Sequence, residues 1–405
     1  MTDHTGITGE MRKELLLRLE RVPEIGDDEL YALIDDMILC AGPKMRLSLR
    51  EKEDIRRELY NSVRKLDVLQ DLIDDEEITE IMVNGWEKIF VEKHGRITRL
   101  PRTFVNPERL SDIVQQIAGR CNRTVNEQRP IADARLENGD RVNIVLPPVS
   151  IDGPVVTIRR FPKEAITMER LIRLGTVTRE AADLLKDLVG AGYSILVGGG
   201  TSTGKTTFLN ALSDHIPKDE RIVTIEDNAE LQITGIDNLV RLEARDANLE
   251  ESREITIRDL IKTALRMRPN RIIIGEVRGK EAGDFLTALN TGHSGSLGSA
   301  HANSARDMTG RLEAMVRMGS DLPIPVIRSQ IASGVEIIVH LMRDASGSRR
   351  VEEICEITGF DGTDISMQTL YRLDAAGSLQ KRGELYHTEK MKRYYEYKKH
   401  YEKLR

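Results

Sequence analysis

Apolar residues recur every three or four positions in three stretches near the start of the chain: MRKELLLRLERV (11–22), DDELYALIDDMIL (27–39) and LREKEDIRRELYNSVRKL (49–66). That spacing gathers the apolar side chains on one face of a helix, so the pattern predicts a small bundle of amphipathic helices. Gly26, Gly42 and Pro43 read as breaks, and Asp27 and Ser48 as caps of the helices that follow. From Leu69 to about Phe161 the texture changes. Short apolar runs in EIMVNGWEKIFVEKHGRITRL, RVNIVLPPV and PVVTIRRF, bounded by Gly, Asn and Pro, predict strands and hairpins. VNPERLSDIVQQIAGRC between them has helical period, giving a compact α+β domain. PKEAITMERLIRLGTVT reads as a connector, and beyond Arg179 helix and strand patterns alternate as in an α/β domain of βαβ units. The expected divisions are a helical region (1–66), an α+β domain (67–162), a linker (163–170), an α/β domain (171–380) and a tail (381–405).

Length and composition support this multidomain reading: 405 residues suffice for two or three domains. Hydrophobic residues make up 40% and charged residues 31%, which argues against a disordered or fibrous chain. No apolar run reaches the ~18 residues a membrane-spanning helix needs, and MTDHTGITGEMRKE lacks the apolar core of a secretory signal, so a cytoplasmic protein is expected. Cys40, Cys121 and Cys355 form neither a disulfide framework nor a CxxC knuckle. A net charge of −6 and few aromatic residues count against a nucleic-acid partner.

The sharpest chemical signal follows the apolar run Tyr193 to Val197. Gly199, Gly200, Thr201, Ser202, Thr203, Gly204, Lys205 and Thr206, followed by Thr207, satisfy GxxxxGK[ST] between a strand and the helical pattern FLNALSDHI. Glycines let the backbone amides and the helix N-terminus face phosphate oxygens, while Lys205 reaches the β- and γ-phosphates. Thr206 supplies a hydroxyl for Mg²⁺, so ATP and Mg²⁺ are the expected ligands.

Hydrolysis also needs an acid at the carboxyl edge of the same sheet. RIIIGEVRG supplies Glu276 after a buried-type strand, placed to position Mg²⁺ or activate water. RIVTIEDNAEL supplies a second strand-end acid, Glu226, with Asp227 beside it, to assist or to cap a turn. TGHSGSLGSAHANS then sets His293 and His301 among Gly and Ser, which suits a loop sensing the γ-phosphate better than a metal site.

Taken together, GGTSTGKTT, TIEDNAEL, RIIIGEVRG and TGHSGSLGSAHANS resemble the Walker A, Asp box, Walker B and His box of the type II and type IV secretion and pilus-assembly ATPases. EIMVNGWEKIFVEKHGRI, DARLENGDRVNIVLPPVSIDGPVVTIRRF and SGVEIIVHL resemble the CpaF-like branch that serves Tad/Flp pili. The resemblance implies a RecA-like P-loop ATPase domain preceded by an α+β N-terminal domain and a helical bundle. It implies a hexameric ring, with nucleotide between the two domains, driving an inner-membrane platform protein. It also implies arginines of the N-terminal domain near the nucleotide, at Arg141 and Arg159, with Arg135 and Arg160 as neighbours. The loop departs from the family's TGSGKTT by placing Ser202 where a glycine stands, and the absence of CxxC pairs argues against the zinc-bearing type II branch. A nucleic-acid translocase and a non-hydrolysing nucleotide-gated scaffold share the same core. The acidic balance disfavours the first, and Glu276 the second.

Residues 381–405 hold nine Lys/Arg against four Asp/Glu and five of the nine tyrosines, a local charge of +5 that leaves −11 for the rest. A helix of this kind suits peripheral contact with an anionic leaflet or with acidic loops of a platform protein, or simple packing on its neighbour.

Overall fold

The computed structural model describes residues 4–19, 25–45, 47–121, 123–136, 138–160, 166–245, 254–344 and 346–403; the side chains of 4–7, 41–45 and 401–403 are outside that description. The chain divides into two compact units, Met1–Lys163 and Glu164–Arg405. Residues 163–165 of the expected linker, and 404–405 of the tail, lie outside the described residues. No helix among the described residues is long and apolar enough to cross a membrane.

In the first unit α1 (His4–Leu19), α2 (Asp27–Met45) and α3 (Leu49–Arg64) bury Leu15, Leu30, Ile34, Ile55 and Leu59 against one another. Ser48 caps α3 in a reciprocal box with Glu51. Asp27, expected as a cap, instead begins α2 and accepts from Arg64 Nε at 2.9 Å. The break expected at Gly42 and Pro43 is also absent, since α2 runs on to Met45. A proline lacks the N–H that would bond four residues back, so Pro43 weakens the last turn of α2 without ending it.

After α4 (Val68–Asp74) come β1 (Ile78–Asn84), β2 (Ile89–Lys93), β3 (Arg96–Arg99), α5 (Pro107–Arg120), β4 (Ile131–Arg135), β5 (Arg141–Val145) and β6 (Val155–Arg159). The strands form an antiparallel sheet in the order β3-β2-β1-β6-β5-β4. Alternation decides which side is buried: Val142, Ile144, Val156 and Ile158 share a core with Leu110, Ile113 and Ile117 of α5.

The second unit opens with α6 (Met168–Arg173), which begins within the expected linker and runs past its end, and α7 (Arg179–Gly190). There follow β7 (Ile195–Gly199), α8 (Lys205–Ser213), β8 (Ile222–Glu226), β9 (Leu239–Glu243), α9 (Ile257–Ala264), β10 (Arg271–Val277), α10 (Ala282–Asn290) and β11 (Leu297–Ala300). α11 (Ala305–Arg317), α12 (Ile324–Gly334), β12 (Ile337–Arg343), β13 (Arg349–Phe360), β14 (Ile365–Leu373), β15 (Leu379–Lys381) and α13 (Glu389–Lys403) complete it. The nine strands run β15-β14-β13-β12-β7-β11-β10-β8-β9, parallel from β12 to β9 and antiparallel beyond. Apolar layers cover both faces: Leu185, Phe208 and Leu212 lie in one, Ile261, Phe285 and Leu312 in the other. This explains the unbroken apolar runs of β7, β8 and β10.

The basic tail packs on this unit. Met391 is buried in its core, Tyr395 Oη donates to Asp187 at 2.6 Å, and Lys390 reaches Glu336 at 2.7 Å. Tyr193 Oη and the Gly192 carbonyl also bond to it, at the amino edge of the parallel strands. Tyr397, Lys392 and Arg393 remain exposed.

Candidate functional site

In an open parallel sheet, ligand groups gather where strands end and helices begin, because helix N-termini point there. β7 ends at Gly199, the loop turns through Gly204 at φ 91°, and α8 starts at Lys205. Only glycine takes such a φ without strain, so Gly204 gives the loop its entry into the helix. Lys205 is largely buried, and its Nζ donates to the Gly200 carbonyl at 3.0 Å, which Thr203 Oγ1 also meets at 2.9 Å.

Strand order then decides the neighbours of Lys205. β11 lies between β7 and β10, so the residue after β11 stands between the phosphate loop and the acid of β10. That residue is His301. Its Nδ1 is 3.3 Å from Lys205 Nζ, and its Nε2 is 2.8 Å from Glu276 Oε1. An ammonium group only donates, so Nδ1 accepts and the ring proton resides on Nε2, facing Glu276. Burial pushes the imidazole below its ordinary range, Lys205 and Arg278 push the same way, and Glu276 opposes them. A neutral ring is the form that accepts from a lysine. His340 of β12 fixes the adjoining backbone, its Nε2 lying 3.0 Å from the Ala302 carbonyl.

Glu276, inside β10 rather than beyond it, receives Arg278 Nη2 on Oε2 at 2.6 Å, while Arg278 Nη1 lies 3.4 Å from Asp227. Lys205, His301, Glu276, Arg278 and Asp227 thus form one continuous row along the carboxyl edge. Oε1 of Glu276 is buried without a well-aligned hydrogen bond, despite its closeness to His301. Glu226 ends β8 and is buried. Its Oε1 accepts the amides of Glu230 and Leu231 at 2.9 and 3.0 Å, and its Oε2 has no hydrogen-bond partner. Desolvation raises its carboxyl above the usual range, and the two amides counter it. Glu226 therefore shapes the turn after β8, and its second oxygen is available to a ligand.

Two Results of this geometry are testable. A Cβ on Gly275 would stand 2.9 Å from Glu226 Cγ. Gly275→Ala is expected to destabilise the fold by about 1–3 kcal/mol, the usual cost of overpacking; a melting temperature equal to wild type in calorimetry would refute the crowding. For His301, the depressed native value means that below its ordinary value of 6.5 the unfolded chain takes up a proton which the folded chain refuses. The group therefore removes stability as pH falls through that point. His301→Asn is expected to lose less stability than wild type between about pH 7.5 and about pH 5.5, and a parallel loss in urea titrations would contradict it.

His293 is not part of this row. β11 intervenes, placing His293 before the strand and His301 after it, at opposite edges of the sheet. His293 Nδ1 lies 3.2 Å from the Ala288 carbonyl at the end of α10. The reading of one Gly/Ser-rich loop is corrected because its small residues form a buried central strand: a Cβ on Gly298 would meet Phe285 and Leu196.

Arg141 and Arg159 belong to the first unit. They face each other across β5 and β6, and Arg135 on β4 faces Arg141, so three arginines stand in register on one face of the sheet. Arg160 is committed elsewhere, to Asp140 at 3.0 Å and to the carbonyls of Leu72 and Asp75. Arg278 and Arg349 were not singled out by the sequence reading. Arg278 sits two residues after Glu276 and was legible within RIIIGEVRG, whereas Arg349, whose Nε donates to the Ser202 carbonyl at 3.1 Å, lies 147 positions from its partner.

Residues 63–394 match the Type II/IV secretion system protein family. A Mycobacterium tuberculosis (strain ATCC 25618 / H37Rv) protein named for conjugal transfer is 35% identical over 312 residues, covering 76% of this chain and 88% of that one. The type IV secretion system protein PtlH of Bordetella pertussis (strain Tohama I) is 34% identical over 310 residues, covering 70% and 91%. Among solved structures, the pilus retraction motor PilT with bound ADP is similar in fold, with a TM-score of 0.52 at 17% identity over 84% of this chain and 89% of that one. These likenesses agree with a RecA-like ATPase domain preceded by an α+β domain. The chain belongs to the type II/IV secretion system ATPase family.

Proposed function

We propose that this protein is a Mg²⁺-dependent ATP-hydrolysing motor that powers assembly of a Tad/Flp-type pilus or related secretion filament. It works as a homo-oligomeric ring, a hexamer, peripheral to the inner face of the cytoplasmic membrane, on a platform protein there. The observation that carries the reading is the row from Lys205 through His301 to Glu276, which links the phosphate loop to a buried carboxylate oxygen through one neutral imidazole.

In this mechanism the loop amides of Gly200 to Thr207 and Lys205 hold the phosphates. Glu276 orients and deprotonates the attacking water through Oε1, while Arg278 on Oε2 keeps the carboxylate in place. His301 transmits changes in phosphate charge at Lys205 to Glu276, the route by which nucleotide state reaches the fold. Arg141 and Arg159 serve the developing negative charge.

Mg²⁺ keeps several waters and takes few protein oxygens. Thr206 and the bare oxygens of Glu276 and Glu226 fit that demand, and no group of three or more His, Cys, Asp or Glu able to hold a metal occurs among the described residues. When bound, the ion neutralises phosphate charge.

Purified protein is expected to release phosphate from Mg-ATP and to co-purify from membranes with a polytopic inner-membrane protein. Binding of nucleotide without turnover, even with that membrane fraction added, would leave a gated scaffold instead of a motor.

A further inference from the structure

β12 and β13 are antiparallel, and the turn between them is held by its own hydrogen bonds. Asp344 accepts from the amides of Ser346 and Ser348 at 2.9 and 3.0 Å and from Arg350 Nε at 3.0 Å, while its own amide donates to the Ser348 carbonyl. The residue leaving this turn is Arg349. Its Nε donates to the carbonyl of Ser202 at 3.1 Å, and its Cδ lies 3.2 Å from the position a Cβ on Gly204 would take. Two positions of the phosphate loop therefore rest on one side chain from the hairpin.

Ser202 is the position at which this loop carries a side chain where TGSGKTT has glycine, and its φ is 59°. For a residue with a Cβ that left-handed conformation is strained and persists only where the surroundings hold it.

We propose that Arg349 is a positioning residue of the phosphate loop, holding the Ser202–Thr203 peptide so that a serine can occupy a turn suited to glycine. The proposal rests on the nucleotide reading of the loop. In a trans peptide the carbonyl and the following N–H point in opposite directions. Fixing the Ser202 carbonyl on Arg349 therefore turns the Thr203 amide away from the hairpin, and successive amides so fixed make an anion-binding concavity. The guanidinium acts on the ligand through the backbone, which separates it from Lys205.

The test is a double-mutant cycle in Mg-ATP hydrolysis, with kcat and KM measured for wild type, Arg349→Ala, Ser202→Gly and the double variant, each first shown by thermal melting to be folded. Arg349→Ala is expected to raise KM about fivefold, the scale of one hydrogen bond, with kcat changed by less than about twofold. In the Ser202→Gly background the same substitution is expected to raise KM by less than about twofold, because glycine holds the turn unaided. An equal rise in both backgrounds would mean that Arg349 meets the nucleotide itself and would overturn the proposal, as would no rise in either. If wild type neither bound nor hydrolysed Mg-ATP, the nucleotide reading would fall as well, an outcome distinct from either of these.

Discussion

Glu276→Gln is expected to lower ATP turnover by about 10²–10⁴-fold while leaving Mg-ATP binding within a few fold of wild type, the range set by loss of a general base. The substitution keeps the shape of the side chain but leaves one acceptor oxygen where Arg278 and His301 now contact two. What it removes is a proton acceptor at Oε1, the oxygen that is buried without an aligned donor. Binding belongs to another part of the site, the loop amides and Lys205, so turnover and affinity should separate. Single-turnover phosphate release with a parallel nucleotide-binding titration makes the measurement. Full turnover in the variant would exclude Glu276 as the base and remove the mechanism proposed above.

The second large effect is on stability. Arg271→Met is expected to destabilise the second unit by about 3 kcal/mol, the scale of removing one partner from a buried ion pair. Arg271 is 3% exposed at the start of β10. Its guanidinium meets both oxygens of Glu220 at 2.6 and 2.7 Å, the Val189 carbonyl at 2.5 Å and the Gly295 carbonyl at 3.4 Å. One side chain thus ties together the end of α7, the approach to β8 and the turn before β11. Methionine preserves much of the packing but takes from Glu220 its guanidinium partner and from two carbonyls one donor each, Val189 keeping the Gly192 amide. For a unit of this size the shift corresponds to roughly 6–12 °C in melting temperature. A calorimetric loss below about 1 kcal/mol would show that water replaces the lost donors.

These two residues differ in how visible they were. Glu276 was legible because an apolar strand ending in an acid, in a chain with a phosphate loop, is a local pattern. Arg271 reads only as the first residue of that strand, since its partners lie 51, 82 and 24 positions away. The same contrast separates the two histidines. Their eight-residue spacing among glycines and serines reads as one flexible loop, yet burial between β7 and β10 makes the small residues a strand, because larger side chains would collide with Phe285. The tail is a further case. Its charge and tyrosines suited several surfaces, and the positions of Gly190, Asp187 and Glu336 direct Tyr394, Tyr395 and Lys390 onto the body of the ATPase domain.

By itself the sequence determined the class of protein. Periodicity of apolar positions marks helices and strands, and the phosphate loop with its serine at position 202 and each strand-end acid is a pattern written within a few residues. Those features are short-range, so nearest neighbours along the chain suffice to state them. Tertiary structure decided which of them act together. The crossovers that set β11 between β7 and β10 bring His301 to Lys205 and Glu276, send His293 to the far edge, and lay Arg349 on the loop from a hairpin much later in the chain. Strand order follows from how whole layers bury their apolar faces, a sum over long-range contacts that no local spacing records.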